Sequence, residues 1–171
     1  MTEDELNDIV ENISEEDGFD EETGNLVKSA LRFSNSKAGD VMVSWDDVEK
    51  INVAYKAPQI LEIVKNSVHS RIPVVDRTGK LKGILHIRKF LKAYIHQKHS
   101  VVLASVIDYP YYVDYHEPID EILTQMSNHR RNLAIVRDEN GEIGGIITIE
   151  DILEELVGEI YDENDEIIHN F

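Results

Sequence analysis

The chain has 171 residues, 42% of them hydrophobic, no cysteine and a net charge of −17 at pH 7. That length and apolar content suffice for one domain or two small ones with a real core, and the lack of thiols excludes a disulfide framework, a thiolate metal site and a cysteine nucleophile. The acidic balance argues against a nucleic-acid partner, because phosphate-backbone binding depends on Lys and Arg; a cation or a cation-loaded nucleotide is better tolerated.

In chain order, Thr2-Glu3-Asp4-Glu5 has the form of a cap for a first helix, whose Leu6, Ile9, Val10 and Ile13 make one apolar face. Acidic Glu15-Glu16-Asp17 and Gly18 end it, and a second helix over 21–33 carries Leu26, Val27, Ala30 and Leu31. Residues 1–36 are therefore read as an N-terminal helical hairpin with a packing role. A loop over 34–40 follows, and Val41-Met42 opens the part that repeats.

In the first copy, a short strand near Ile51-Asn52-Val53 leads to Pro58 and a helix with Ile60, Leu61, Val64 and Val68. Then come the strand Ile72-Pro73-Val74-Val75, a turn at Gly79, the strand Leu81–Ile87 and a helix with Phe90, Leu91, Tyr94 and Ile95. The second copy keeps that order: Pro118 and a helix with Ile122, Leu123 and Met126, the strand Leu133-Ala134-Ile135-Val136, a turn at Gly141, and Gly145–Ile149 running into a last helix with Ile152, Leu153, Leu156, Val157 and Ile160. Two β-α-β-β-α copies at a period of about sixty residues imply an α+β fold of two pseudo-symmetric halves. The halves are read as 37–99 and 100–160, with an acidic tail over 161–171. Residues 100–109 connect the halves and are too apolar for a free linker.

The junction at Gly144–Asp151 organises the second copy. Thr148-x-x-Asp151 before an apolar run has the form of a capping box, which satisfies free amides in the first helical turn. Gly144-Gly145 goes beyond that reading, since paired glycines weaken a strand and serve where something approaches the backbone closely. A ligand is one candidate. A helix start offers N–H groups to a phosphate, and a carboxylate there can accept hydrogen bonds from a ribose diol, so strand, hydroxyl and carboxylate together suit a nucleotide.

These residues also carry a family resemblance. His69-Ser70-Arg71-Ile72-Pro73-Val74, Leu133-Ala134-Ile135-Val136 and the run from Thr148 to Ile160, closed by Asp162-Glu163-Asn164-Asp165-Glu166, resemble the tandem cystathionine-β-synthase (CBS) domain pair of the CorC/HlyC and cyclin-M group of magnesium and cobalt transport proteins. The resemblance implies a regulatory module, not an enzyme, that binds an adenine nucleotide, ATP or AMP, with Mg2+ as a companion of ATP. Thr148 and Asp151, with Ile146 and Ile147 before them, match the ribose-contact motif; Arg71 matches a nucleotide contact, with His69 beside it. Val43 occupies the place of a threonine that helps to hold the base, and lacks its hydroxyl. His86 and Lys89 stand in the first copy where Thr148 and Asp151 stand in the second, and lysine has no acceptor for a diol, so one competent cleft is expected. The resemblance further implies a homodimer. The group's transmembrane region before the hairpin and small domain after the acidic close make this chain read as the cytoplasmic part of a larger membrane protein, for no run here approaches the ~20 apolar residues that span a bilayer. The alternative function is a structural dimerisation module without a nucleotide site.

The remaining signals have plainer readings. His96-x-x-His99 has metal-ligand spacing but reads as a wet helix end, and His86 as a satisfied polar residue. His129-Arg130-Arg131 suits polyphosphate and a solvated helix end equally. Asp162–Glu166 lacks the glycine and spaced acid of a calcium loop. Tyr109, Tyr111, Tyr112 and Tyr115 are read as packing rather than base stacking. No His-Glu-x-x-His and no serine in a nucleophile elbow support an enzyme; Ser70 beside His69 is only adjacency.

Overall fold

The computed structural model describes residues 35–156, together with Asp4 and Asp8. Apart from Asp4, Asp8 and residues 35–36, the expected hairpin over 1–36 lies outside the described residues, as do the acidic tail and the end of the last helix. The chain divides into two compact units, one built from residues up to Asp46 and from Tyr111 onward, the other from Asp47–Pro110.

The first unit holds α1 (Ala38–Val41), β1 (Val43–Ser44), β6 (Tyr112–Asp114), α4 (Ile119–Asn128), β7 (Leu133–Arg137), β8 (Ile143–Thr148) and α5, helical from 149 to the last described residue, 156. Its sheet runs β1-β8-β7-β6, with β6 parallel to β7 and the other pairs antiparallel. The second unit holds β2 (Ile51–Asn52), α2 (Ala57–Asn66), β3 (Arg71–Val75), β4 (Leu81–His86), α3 (Ile87–Gln97) and β5 (Ile107–Asp108). Its sheet, β2-β3-β4-β5, repeats the pattern with one parallel pair and two antiparallel pairs.

The repeat is thus real, but its leading strands are exchanged. β1 precedes the first copy and pairs with the hairpin of the second; β5 precedes the second and pairs with the hairpin of the first. Sequence reading missed both, because two-residue edge strands have no periodicity to detect. The apolar connection after residue 100 is explained by the same finding: Val101, Leu103, Val106 and Ile107 pack on the second unit's core.

Each core forms where the apolar stripe of the helices meets one sheet face. In the first unit Ile119, Ile122, Leu123 and Met126 of α4 and Ile152, Leu153 and Leu156 of α5 cover Ala134, Val136 and Ile147. In the second, Ile60 and Val64 of α2 and Phe90 of α3 cover Ile72, Val74 and Leu85. Full burial of one such side chain contributes about 1.5–3 kcal/mol. Three expected core positions differ, Leu91 among them at 37% exposed. Val68 is 92% exposed because α2 ends at Ser67, and Ile95 is 72% exposed because α3 turns Phe90 and Tyr94, not Ile95, toward the core. Both hairpins turn through a glycine of positive φ, Gly79 and Gly141, braced by Asp76 and Asp138 accepting backbone N–H bonds across the turn.

Candidate functional site

At the β8–α5 junction the backbone leaves the sheet and four N–H groups of the new helix lose their in-helix partners. Thr148 and Asp151 satisfy two backbone donors reciprocally: Asp151 N–H donates to Thr148 Oγ1 at 3.1 Å, and Thr148 N–H donates to Asp151 Oδ2 at 3.1 Å. The capping box read from the sequence is therefore present. It uses only part of the two side chains. Among the described residues nothing takes the Thr148 hydroxyl proton or bonds to Asp151 Oδ1, and both residues are half-buried at a helix start whose dipole favours anions.

Strand alternation sets which side chains share this place. Ile147 points into the core and is fully buried, whereas Ile146 and Thr148 lie on the opposite sheet face. Val43 pairs directly with Ile146 across β1 and β8, so it lies on that face as well, 37% exposed. Leu133 and Ile135, opposite Thr148 and Ile146 on β7, complete the apolar floor. Gly145 has its own explanation: a Cβ there would run into the Val43 carbonyl, so the close approach that the glycine pair suggested is made by strand β1.

His69 and Arg71 belong to the second unit. Arg71 opens β3 directly opposite His86, the last residue of β4. His86 caps α3, its Nδ1 accepting from Lys89 N–H at 3.5 Å, and Ile87 N–H donates to Ser70 carbonyl much as Ile149 N–H donates to Asn132 carbonyl in the first unit. Burial, then the positive charges of Arg71 and Lys89, lower the His86 pKa below the ordinary 6.5, with Asp108 opposing. Lys89 Nζ lies 3.0 Å from Asp108 Oδ1. Asp108 escaped the sequence reading; its only signal was the apolar connection in which it sits. His69 is exposed, and its backbone N–H donates to Ser67 Oγ at 3.2 Å.

The other candidates resolve simply. α3 ends at Lys98, whose φ is 50°, and His99 lies in the 3-10 turn Lys98–Ser100, so His96 and His99 do not share a continuous helix. His129 closes α4, with its ring Nδ1 2.7 Å from the Gln125 carbonyl. Tyr111 and Tyr115 pack against the first unit's core, Arg137 stacks 3.8 Å over the Tyr112 ring, and Tyr109 is 87% exposed. Asp162–Glu166 lies outside the described residues. Among those described, no three His, Asp or Glu side chains converge as a metal site, and no helix is long and apolar enough to cross a membrane.

Known proteins share this fold. The family model for the CBS domain matches twice, at residues 38–96 and 103–158. The magnesium and cobalt efflux protein CorC of Escherichia coli K12 is 29% identical over 164 residues, which are 95% of this chain and 56% of that protein. A CBS-domain pair with bound AMP from Klebsiella pneumoniae superposes with a TM-score of 0.65 at 25% identity, covering 72% of this chain and 99% of that one. The CBS domain of a bacterial CNNM/CorC family Mg2+ transporter in complex with ATP has the same fold, with a TM-score of 0.69 at 24% identity over 78% of this chain and 95% of that one. The chain spans 38% of the length of two Mycoplasma relatives that it matches and about half of the CorC proteins.

Proposed function

Since this chain belongs to the CBS-domain family, as a tandem pair, we propose that it is the adenine-nucleotide-binding regulatory module of a CorC-like magnesium and cobalt efflux protein. The observation that carries this reading is the half-used capping box: Thr148 and Asp151 hold the helix start and still present a hydroxyl donor and a carboxylate oxygen, on the sheet face shared with Ile146 and Val43. A ribose diol is complementary to that pair, for its hydroxyls donate to the carboxylate in charge-assisted bonds. Ile146 and Val43 offer apolar contact to the ligand, Ile147 contributes only through its backbone, and the family resemblance is the ground for giving Arg71, with His69 beside it, a phosphate contact. The AMP-bound relative supports the ligand class. Mg2+ in this reading travels on the triphosphate of ATP, and the module works as a homodimer on the cytoplasmic side of a membrane protein, in regulation rather than catalysis.

Calorimetric titration of AMP, and of ATP with and without Mg2+, tests the proposal. One site per chain is expected, and a ligand at 100 times its dissociation constant stabilises the fold by about 2.7 kcal/mol. Absence of both heat and thermal shift at millimolar nucleotide would refute it. A second reading, a structural dimerisation module, is favoured by one observation: the Thr148–Asp151 box is already satisfied internally, as a purely structural cap would be. Sedimentation with and without nucleotide separates the two, since the structural module dimerises and binds nothing.

A further inference from the structure

The two strand-to-helix junctions share one plan and are closed differently. Ile146 faces Val43 across β8 and β1, while Ile84, its counterpart, faces Asp108 across β4 and β5. Asp108 therefore stands where Val43 stands. His86 caps α3 as Thr148 caps α5, which puts Lys89 where Asp151 stands. In the first unit the carboxylate at that position keeps one oxygen without a described partner. In the second, the ammonium at that position reaches the neighbouring strand and meets a carboxylate of the same chain at 3.0 Å.

We infer that the Lys89–Asp108 pair is an internal plug that takes the place of a ribose diol in the second unit and so limits the chain to one nucleotide. The inference rests on the nucleotide reading above and deepens it by naming the residues that set stoichiometry. Lys89 has three donors and no acceptor, so it cannot hold a diol, and Asp108 already accepts from Lys89. Specificity here comes from a mismatched charge as much as from the good contact in the other unit. The pair is largely solvent-exposed, at 54% and 39%, and such pairs add little to folding, so the plug is removable.

The test is calorimetric titration of AMP into the full chain and into the triple variant His86→Thr, Lys89→Asp, Asp108→Val, which gives the second unit the three side chains of the first. Stoichiometry should rise from one AMP per chain to two, and adding Asp151→Asn should then weaken only one of the two sites. A triple variant with an unchanged circular dichroism spectrum that still binds one AMP overturns the inference. The charge reversal Lys89→Asp, Asp108→Lys keeps the plug in the opposite sense and should stay at one; two sites there overturn it equally, whether or not the triple variant folds. If the wild-type chain binds no AMP, the nucleotide reading fails by itself. A triple variant that gains one site would then still uphold the plug, and one that gains none would sink both.

Discussion

The same junction occurs twice in this chain, and the difference between the copies shows how little chemistry separates an open helix start from a closed one. Both junctions run from a strand into a helix through a side-chain cap, and both tie the first helical residue to a carbonyl of the neighbouring strand's entry, Asn132 in one and Ser70 in the other. The second copy uses Thr148 and Asp151, two good cap formers at 3.1 Å. The first uses His86 at a longer 3.5 Å, and Lys89 returns nothing to the His86 backbone. A lysine in the first turn opposes the helix dipole, so its charge is met instead by Asp108. The fold tolerates both solutions because the packing beneath them is the same: helices on one sheet face around a single apolar cluster in each unit.

The largest effect that separates the copies should come from their glycines. A Cβ at Gly145 would overlap the Val43 carbonyl, whereas one at Gly83 would meet Asp108 carbonyl and Ile107 Cδ1 at 3.0 Å, the latter on a side chain that can move. Gly145→Ala is expected to cost about 3 kcal/mol and Gly83→Ala about 1 kcal/mol, within the range for strained or overpacked sites. In a chain of this size that is a melting-temperature drop of about 6–12 °C against about 2–4 °C. Equal losses in urea titrations would mean that β1 and β5 are held with equal slack.

Next in size is the carboxylate. Asp151→Asn keeps the shape but removes the charge proposed to accept the diol, which should weaken AMP binding roughly tenfold to a hundredfold, the span of about 1.5–3 kcal/mol for a charge-assisted bond. Lys89→Ala at the matching place should leave that affinity within about twofold of wild type, well under the 1.4 kcal/mol of a tenfold change. Arg71→Ala should weaken ATP more than adenosine, since a guanidinium finds no phosphate on the nucleoside. Parallel losses for both ligands in isothermal titration would assign Arg71 to packing.

Thr148→Ala, by removal of the cap oxygen, should cost about 1 kcal/mol of stability. At the other junction Lys89→Ala, in the place that matches Asp151, removes only an exposed ion pair and should cost less than about 1 kcal/mol, with the loss shrinking further in high salt. Thermal melts at low and high ionic strength would show this, and a salt-insensitive loss would contradict the exposed geometry.

The smallest effect is a pH dependence confined to the first copy. Burial and the facing Arg71, Lys89 and Arg88 lower the folded-state pKa of His86, with Asp108 as the opposing charge. The unfolded chain therefore takes up that proton first. The stability contributed by a neutral His86 is complete above its ordinary 6.5 and is lost as pH falls below that value toward the folded pKa. Melting temperatures measured between pH 7 and pH 5 should decline less steeply in His86→Thr than in the wild type; parallel slopes would show that the other histidines carry the dependence.

The sequence by itself determined the repeat, the α+β class and the strand-to-helix junction, because each rests on short-range physics: apolar spacing that switches from alternation to a helical stripe, turn glycines at Gly79 and Gly141, and a threonine three residues before an aspartate. Family resemblance is the ground for proposing Thr148, Asp151, Ile146 and Val43 as one site, and the β1–β8 register brings Val43 opposite Ile146, about a hundred positions later. Tertiary structure alone decided the exchanged edge strands, since Val43–Ser44 and Ile107–Asp108 are too short to show a period and are held by the hairpins they join. It also decided what approaches Gly145 and what neutralises Lys89. In both cases the partner is distant along the chain or sits on an unmarked segment, and local spacing carries no information about a contact made only when the strands pair.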